Sequence, residues 1–209
     1  ICTICRIRSH EWHEARRLLQ IPRGDVPCTA LALEVSETTE CSVSLVQPEE
    51  RVRQGPLYAD ILEPLACLGS VLLCLDVERG GLATAATAQL RCRTAASADC
   101  WLHPGRAYLF VPLSLHAGAP LHAVCACVSS KAVAIGERPL EKRAVRAAWA
   151  AYARSNDPKG GEPFHGAVLH MGKADGGSIV ALAENRGSGF FNVELTLTCD
   201  HMRFSRGRP

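Results

Sequence analysis

The sequence contains no apolar run near the ~18 residues that a helix needs to cross a bilayer. Its longest, around Val71 to Leu75, has the length of a strand. It also lacks an excess of charge of either sign. The 23 Lys and Arg against 21 Asp and Glu leave a formal charge of +2, too little to make nucleic acid or an anionic membrane the main partner. No internal repeat and no low-complexity tract breaks the chain. No signal peptide is visible, because Ile1 to Ile7 contains Arg6 and has no continuous apolar centre. The first residue is Ile1 and not Met, so we expect a fragment or a processed product.

What the chain has in quantity is cysteine. There are 11, an odd number, and Cys28, Cys41, Cys74, Cys92, Cys125, Cys127 and Cys199 lie inside apolar strand patterns. The expectation is reduced thiols acting as small core residues of an intracellular protein. A secreted disulfide framework fits less well. At 209 residues and 47% hydrophobic content, the chain can bury a core of one large domain, or of one domain and a smaller module.

The stretch from Ser42 to Arg53 sets the pattern. Val43, Leu45 and Gln47 alternate with Ser42, Ser44 and Val46, which is the period of a strand with one buried face. Pro48 lacks a ladder donor and should end the pairing. Glu49, Glu50, Arg51 and Arg53 make the exit polar. Similar strands recur. Cys28 to Val35 places Thr29, Leu31, Leu33 and Val35 on one face. Val71 to Val77 reads as a central strand, and Ala88, Leu90 and Cys92 alternate with Gln89, Arg91 and Arg93. Tyr108 to Leu113, Leu121 to Val128 and Lys131 to Ile135 complete the set, with turns at His103-Pro104-Gly105 and Gly118-Ala119-Pro120. Ile1 to Arg8 reads as a short strand, and Pro22, Gly24 and Pro27 as a loop. His10 to Leu19 has helix-tolerant composition, and the first half of Ala83 to Ala98 suits helix and strand equally. Short strands with turn signals between them predict an antiparallel sandwich.

The texture changes at Pro139, which suits a first helical position. Leu140, Ala144, Val145, Ala148, Trp149 and Tyr152 then share one face of a helix running to Ser155. Asn156-Asp157-Pro158 and Gly160-Gly161 close it. Phe164 to Met171, Ser178 to Glu184 and Phe190 to Cys199 read as a three-stranded meander. The expected fold is therefore mainly β: an antiparallel β-sandwich over residues 1–137, and a module of one amphipathic helix plus a three-stranded antiparallel meander over 138–200. A loose basic tail follows over 201–209.

Candidate chemistry is sparse. Asp99-Cys100-Trp101 matches the letters around papain-like nucleophiles. A nucleophilic Cys needs a lowered pKa, usually from a helix N-terminus and a His partner, whereas Leu102-His103-Pro104-Gly105 leads into a turn and a strand. Cys2, Cys5, His10 and His13 are zinc-competent, but their spacing is too short for a finger, and His10-Glu11-Trp12-His13 is not H-E-x-x-H. His122, Cys125 and Cys127 need not converge on a strand. Glu37, Glu40, Glu49 and Glu50 supply too few convergent carboxylates for a C2-type calcium site. Arg203, Arg206 and Arg208 fit a solvated tail. No catalytic, cofactor-binding or metal residue is expected.

Several stretches together resemble the C-terminal region of the calpain family, in its small optic lobes branch. They are Ile4 to Arg8 with Glu11-Trp12-His13-Glu14, then Ser44-Leu45-Val46-Gln47, Pro104 to Leu109, and Glu184-Asn185-Arg186. The resemblance implies a modular cytoplasmic cysteine endopeptidase acting in limited proteolysis. Its papain-like core would lie upstream, with zinc-finger modules further N-terminal, and a C2-like sandwich and a terminal domain would follow the core. No residue here matches the catalytic Cys, His or Asn, so the implied role is non-catalytic regulation and scaffolding. The implied partner is the upstream protease core, with docking of a protein substrate or a membrane surface beside it, and no nucleic acid. Calcium belongs to the family, but no acidic loop supports it in this chain. The alternative is a stand-alone β-sandwich interaction module.

Overall fold

The computed structural model describes residues 12–21, 29–47, 65–76, 81–115, 121–175 and 178–190. Strand alternation builds the first layer. β1 (His13–Ile21), β3 (Thr39–Val46), β6 (Ala95–Leu102) and β8 (Leu121–Ser129) form an antiparallel four-stranded sheet in the order β1-β8-β3-β6. Val43, Leu45, Cys125 and Cys127 turn inward and are buried, and Val128 is exposed on the other face. The second layer holds β2 (Thr29–Glu34), β4 (Leu68–Asp76), β5 (Gly81–Arg91), β7 (Tyr108–Ser114) and β9 (Ala134–Pro139), in the antiparallel order β5-β4-β7-β2-β9. Leu31, Leu33, Leu72 and Phe110 from this sheet meet Leu19, Val43, Leu45 and Leu102 from the first in one apolar core.

The second sheet is covered on both faces. Ala30, Val71, Leu73, Val111 and Leu113 point away from the sandwich, and helix α1 (Lys142–Ser155) closes over them with Ala148, Ala151 and Tyr152. Double burial is why Val71 to Cys74 is apolar at every position. Alanines at 144, 148, 151 and 153 are all buried, and their small side chains let the helix lie close to the sheet. Beyond it, β10 (Glu162–Phe164), β11 (Ala167–Lys173) and β12 (Ile179–Asn185) form an antiparallel three-stranded sheet. His165 and Gly166, both at positive φ, make the tight turn between its first two strands. The mainly β architecture of sandwich, helix and three-stranded sheet is the one expected from the sequence.

Several details differ from expectation or settle it. His13–Ile21 is a strand despite its helix-tolerant composition, because it has a paired residue on β8 at every position. Ala83 to Ala98, whose first half suits helix and strand equally by sequence, is strand on both sides of a short bend. The last sandwich strand runs from Ala134, later than Lys131, and takes in Pro139, which sits opposite Thr29. Proline is tolerated there because β9 is an edge strand, and the helix starts at Lys142. The division expected at residue 137 therefore falls inside β9. In the meander, β11 and β12 match two expected strands and β10 is an addition. Residues 191–199 of the expected third strand lie outside the described residues, as do Ile1 to Arg8, Pro48 and the tail. Among the described residues no helix is long and apolar enough to cross a membrane.

Candidate functional site

The most constructed part of the molecule is the junction where α1 and the three-stranded sheet meet the sandwich. It begins with a bulge. Leu68 pairs with Arg91 and Ser70 with Ala88, so Gln89 and Leu90 both stand opposite Gly69. A Cβ on Gly69 would lie 2.8 Å from the Ala88 carbonyl oxygen and 2.9 Å from the Leu90 nitrogen, so only glycine fits. The bulge also reverses the alternation. Ala88 packs toward β6 with Ala96 and Ala98, whereas Leu90 packs under the helix. Its amide is left free of the ladder and donates to the Tyr152 hydroxyl at 3.1 Å. That hydroxyl donates onward to the Lys173 carbonyl at 3.2 Å. Burial pushes the Tyr152 phenol upward, partly offset by the Leu90 amide. A cleft of about 270 Å³ opens beside this junction, lined by Gln89, Leu90, Asn156, Lys173 and Asp175 among others.

The helix end supplies the second half. Asn156 caps α1, its side-chain amide donating to the Tyr152 carbonyl at 3.0 Å. Asp157 follows, and its Oδ2 lies 3.3 Å from Nδ1 of His170 on β11. On the opposite ring edge, Glu184 Oε2 on β12 lies 3.5 Å from His170 Nε2. Neither ring nitrogen makes a well-aligned hydrogen bond. Gly161, at φ +99°, seals the ring; a Cβ there would lie 2.7 Å from His170 Cε1. The amide of Lys159 holds the Asp157 carboxyl below its usual value, with help from the Gly161 amide and His170. Arg154 does the same for Glu184, with His170 and Arg186 adding to it. Arg154 pairs directly with Glu184, and Arg186 stands 3.5 Å from it.

This cluster limits its own chemistry. His170 is 3% exposed, and each nitrogen faces a carboxylate. A general base needs one nitrogen turned toward a substrate. The two carboxylates flank opposite edges of the ring and cannot share one cation with it. Among the described residues no group of three or more His, Cys, Asp or Glu can hold a metal ion. The arrangement fastens the helix end to two strands. Sequence reading did not single out His170. Asp157 read as a turn residue and Glu184 as part of a motif, and no spacing rule links residues on three separate elements.

The sequence candidates fall apart. Cys100 lies within β6, a strand to its end at Leu102, and no helix begins behind it. Its thiol faces the Cys41 thiol, with Sγ to Sγ at 3.3 Å. His122 is exposed on the face opposite buried Cys125 and Cys127, so the three diverge. Glu37 stands 4.0 Å from Lys131, and Glu40 is exposed on β3. His13 is exposed at the start of β1. Cys2, Cys5, His10, Glu49, Glu50, Arg203, Arg206 and Arg208 lie outside the described residues.

Seven cysteines are free thiols in the described residues: Cys41, Cys67, Cys74, Cys92, Cys100, Cys125 and Cys127. Burial pushes the Cys125 thiol up to about 12, which suits the core role expected for it. Burial also raises Cys67 to about 12, with Cys92 beside it.

Compared with known proteins, the chain matches no protein-family model and no curated protein.

Proposed function

We propose that this chain is a non-catalytic regulatory and scaffolding portion of a calpain-type, papain-like cysteine endopeptidase of the cytoplasm, whose protease core lies upstream in the same polypeptide. One observation carries the reading: among the described residues, three of the stretches that resemble the family occupy framing positions. Ser44 to Gln47 runs through β3 and ends in a clamp. The buried Gln47 amide accepts from the Ala66 N–H at 3.0 Å and donates to the carbonyls of Ala66 and Arg93 at 2.8 and 2.7 Å. Pro104 to Leu109 turns into β7, and Tyr108 accepts from the His103 amide at 2.9 Å. Glu184-Asn185-Arg186 supplies one side of the His170 fastener. Conversely, Asp99-Cys100-Trp101 sits within a strand. A frame of this kind would hold or gate the two halves of a protease and contribute no reacting group. Calcium is no part of the proposal.

The purified chain should leave casein intact. Cleavage that disappears on Cys100→Ala would overturn the reading. So would an upstream reading frame lacking Gln-x-Gly-Asp-Cys-Trp with a later His and Asn.

A second reading, a stand-alone interaction module, has its own observation. Across the outer face of the four-stranded sheet, Leu18 pairs with Val124, Val124 with Val46, and Val46 with Ala95. Leu18 is 64% exposed, so this row is an apolar strip open to a protein substrate or a membrane surface. The same upstream reading frame separates the two readings.

A further inference from the structure

We propose that Cys41 and Cys100 form a peroxide-responsive dithiol that closes to a disulfide and ties the edge strand β6 to β3. The inference stands on geometry in the sandwich and does not depend on the protease reading.

Cys41 and Cys100 are direct partners in an unbroken antiparallel register from Thr39↔Leu102 to Val46↔Ala95. Opposed residues in such a pair have Cα atoms ~4.5–5.5 Å apart, inside the ~4.4–6.8 Å that a disulfide spans. Their sulfurs already lie 3.3 Å apart. Closing to the ~2.05 Å of an S–S bond therefore asks for side-chain rotation without a slip of register. Three residues along and on the outer face, the Ser44 and Ser97 hydroxyls lie 2.9 Å apart across the same strand pair.

The two thiols are unequal, and the inequality orders the chemistry. β6 is the edge of its sheet and Cys100 is half-buried, whereas Cys41 is 1% exposed. Cys100, the more reachable of the two, meets the oxidant first. Its thiolate attacks a hydroperoxide oxygen. An S–O bond forms, the O–O bond breaks, and the departing oxygen leaves as water after taking a proton. Cys41 sulfur then attacks the Cys100 sulfenic acid. The S–S bond forms, the S–O bond breaks, and hydroxide leaves with the Cys41 proton as a second water. Two thiols lose two electrons and one peroxide gains them. A small thiol reverses the step by attacking the more accessible Cys100 sulfur, releasing Cys41.

Cys127 also contacts Cys41, but it comes from β8 on the interior side and is fully buried, so it is the poorer entry point for an oxidant.

The test treats the reduced, folded chain with hydrogen peroxide, alkylates the remaining thiols and maps the digest by mass spectrometry. The expected product is a peptide pair joined through Cys41 and Cys100, lighter by two hydrogens and restored by dithiothreitol. Amide exchange across β6 should slow in the oxidised form. Cys41→Ser, treated with peroxide and a dione trap, should carry its adduct on Cys100. The proposal falls if both thiols remain alkylatable at a peroxide dose that oxidises exposed Cys92, or if Cys41 is found joined to Cys127. The wild-type map decides the matter even where the variant does not fold.

Discussion

The Tyr152 hydroxyl takes a hydrogen bond from the Leu90 amide at 3.1 Å and gives one to the Lys173 carbonyl at 3.2 Å. One buried side chain on the helix thus joins the sandwich sheet to the three-stranded sheet. Tyr152→Phe keeps the ring and its edge-to-face contact with Trp149 but strands the Leu90 donor in a buried place. An unsatisfied buried donor costs about 1–3 kcal/mol. Urea unfolding should show a loss of that size, and a change below a few tenths would mean that water replaces the hydroxyl.

Gly69 should tolerate no side chain. Even a methyl group would meet the Ala88 carbonyl at 2.8 Å and the Leu90 amide at 2.9 Å, and both are backbone. Gly69→Ala should therefore destabilise by about 1–3 kcal/mol, in the range of overpacked cores. Because the bulge presents Leu90 to Tyr152, protection of the Leu90 amide from exchange should fall in the same variant. Gly81→Ala, with open space around its position, is the control and should be close to neutral.

Gln47 satisfies three backbone groups from a position 1% exposed. Gln47→Leu preserves bulk and removes every one of those bonds. The buried Ala66 amide and carbonyl then lose their partner, and stability should drop by at least about 1–3 kcal/mol. Gln47→Glu restores the acceptor for the Ala66 amide and removes both donors, so it should not rescue the protein near neutral pH.

The carboxyls of Asp157 and Glu184 are held below their ordinary values in the folded chain. A group with a depressed folded pKa contributes stability above its unfolded value, and that contribution is lost as pH falls through the folded one. Unfolding midpoints should therefore hold steady down to about pH 5 and decline below about pH 4, where carboxylates protonate. Glu184→Gln should lower the neutral-pH plateau and flatten this acid limb. An unchanged limb in that variant would show that the pairing with Arg154 and His170 contributes nothing.

Much of the architecture can be read from local pattern, because strand and helix periodicities are written in neighbouring residues. Val43, Leu45 and Gln47 announce their buried face by alternation alone, and Leu140, Ala144, Ala148 and Tyr152 announce theirs by helical spacing. The turn at Gly105 needs only its own residues, since it adopts φ +74°. By itself, then, the sequence determined that the protein is mainly β, that a helix follows the sandwich, and which side of β3 is buried. Tertiary structure alone decided the rest, because the deciding partner lies far along the chain. Pairing with β8 made a strand of His13–Ile21. The bulge opposite Gly69 turned Leu90 to the helix against its own alternation. Packing of three elements brought Asp157, His170 and Glu184 together, and the register of β3 against β6 set Cys41 beside Cys100. Periodicity carries information over a few residues, while sites are made by contacts that only the closed chain can form.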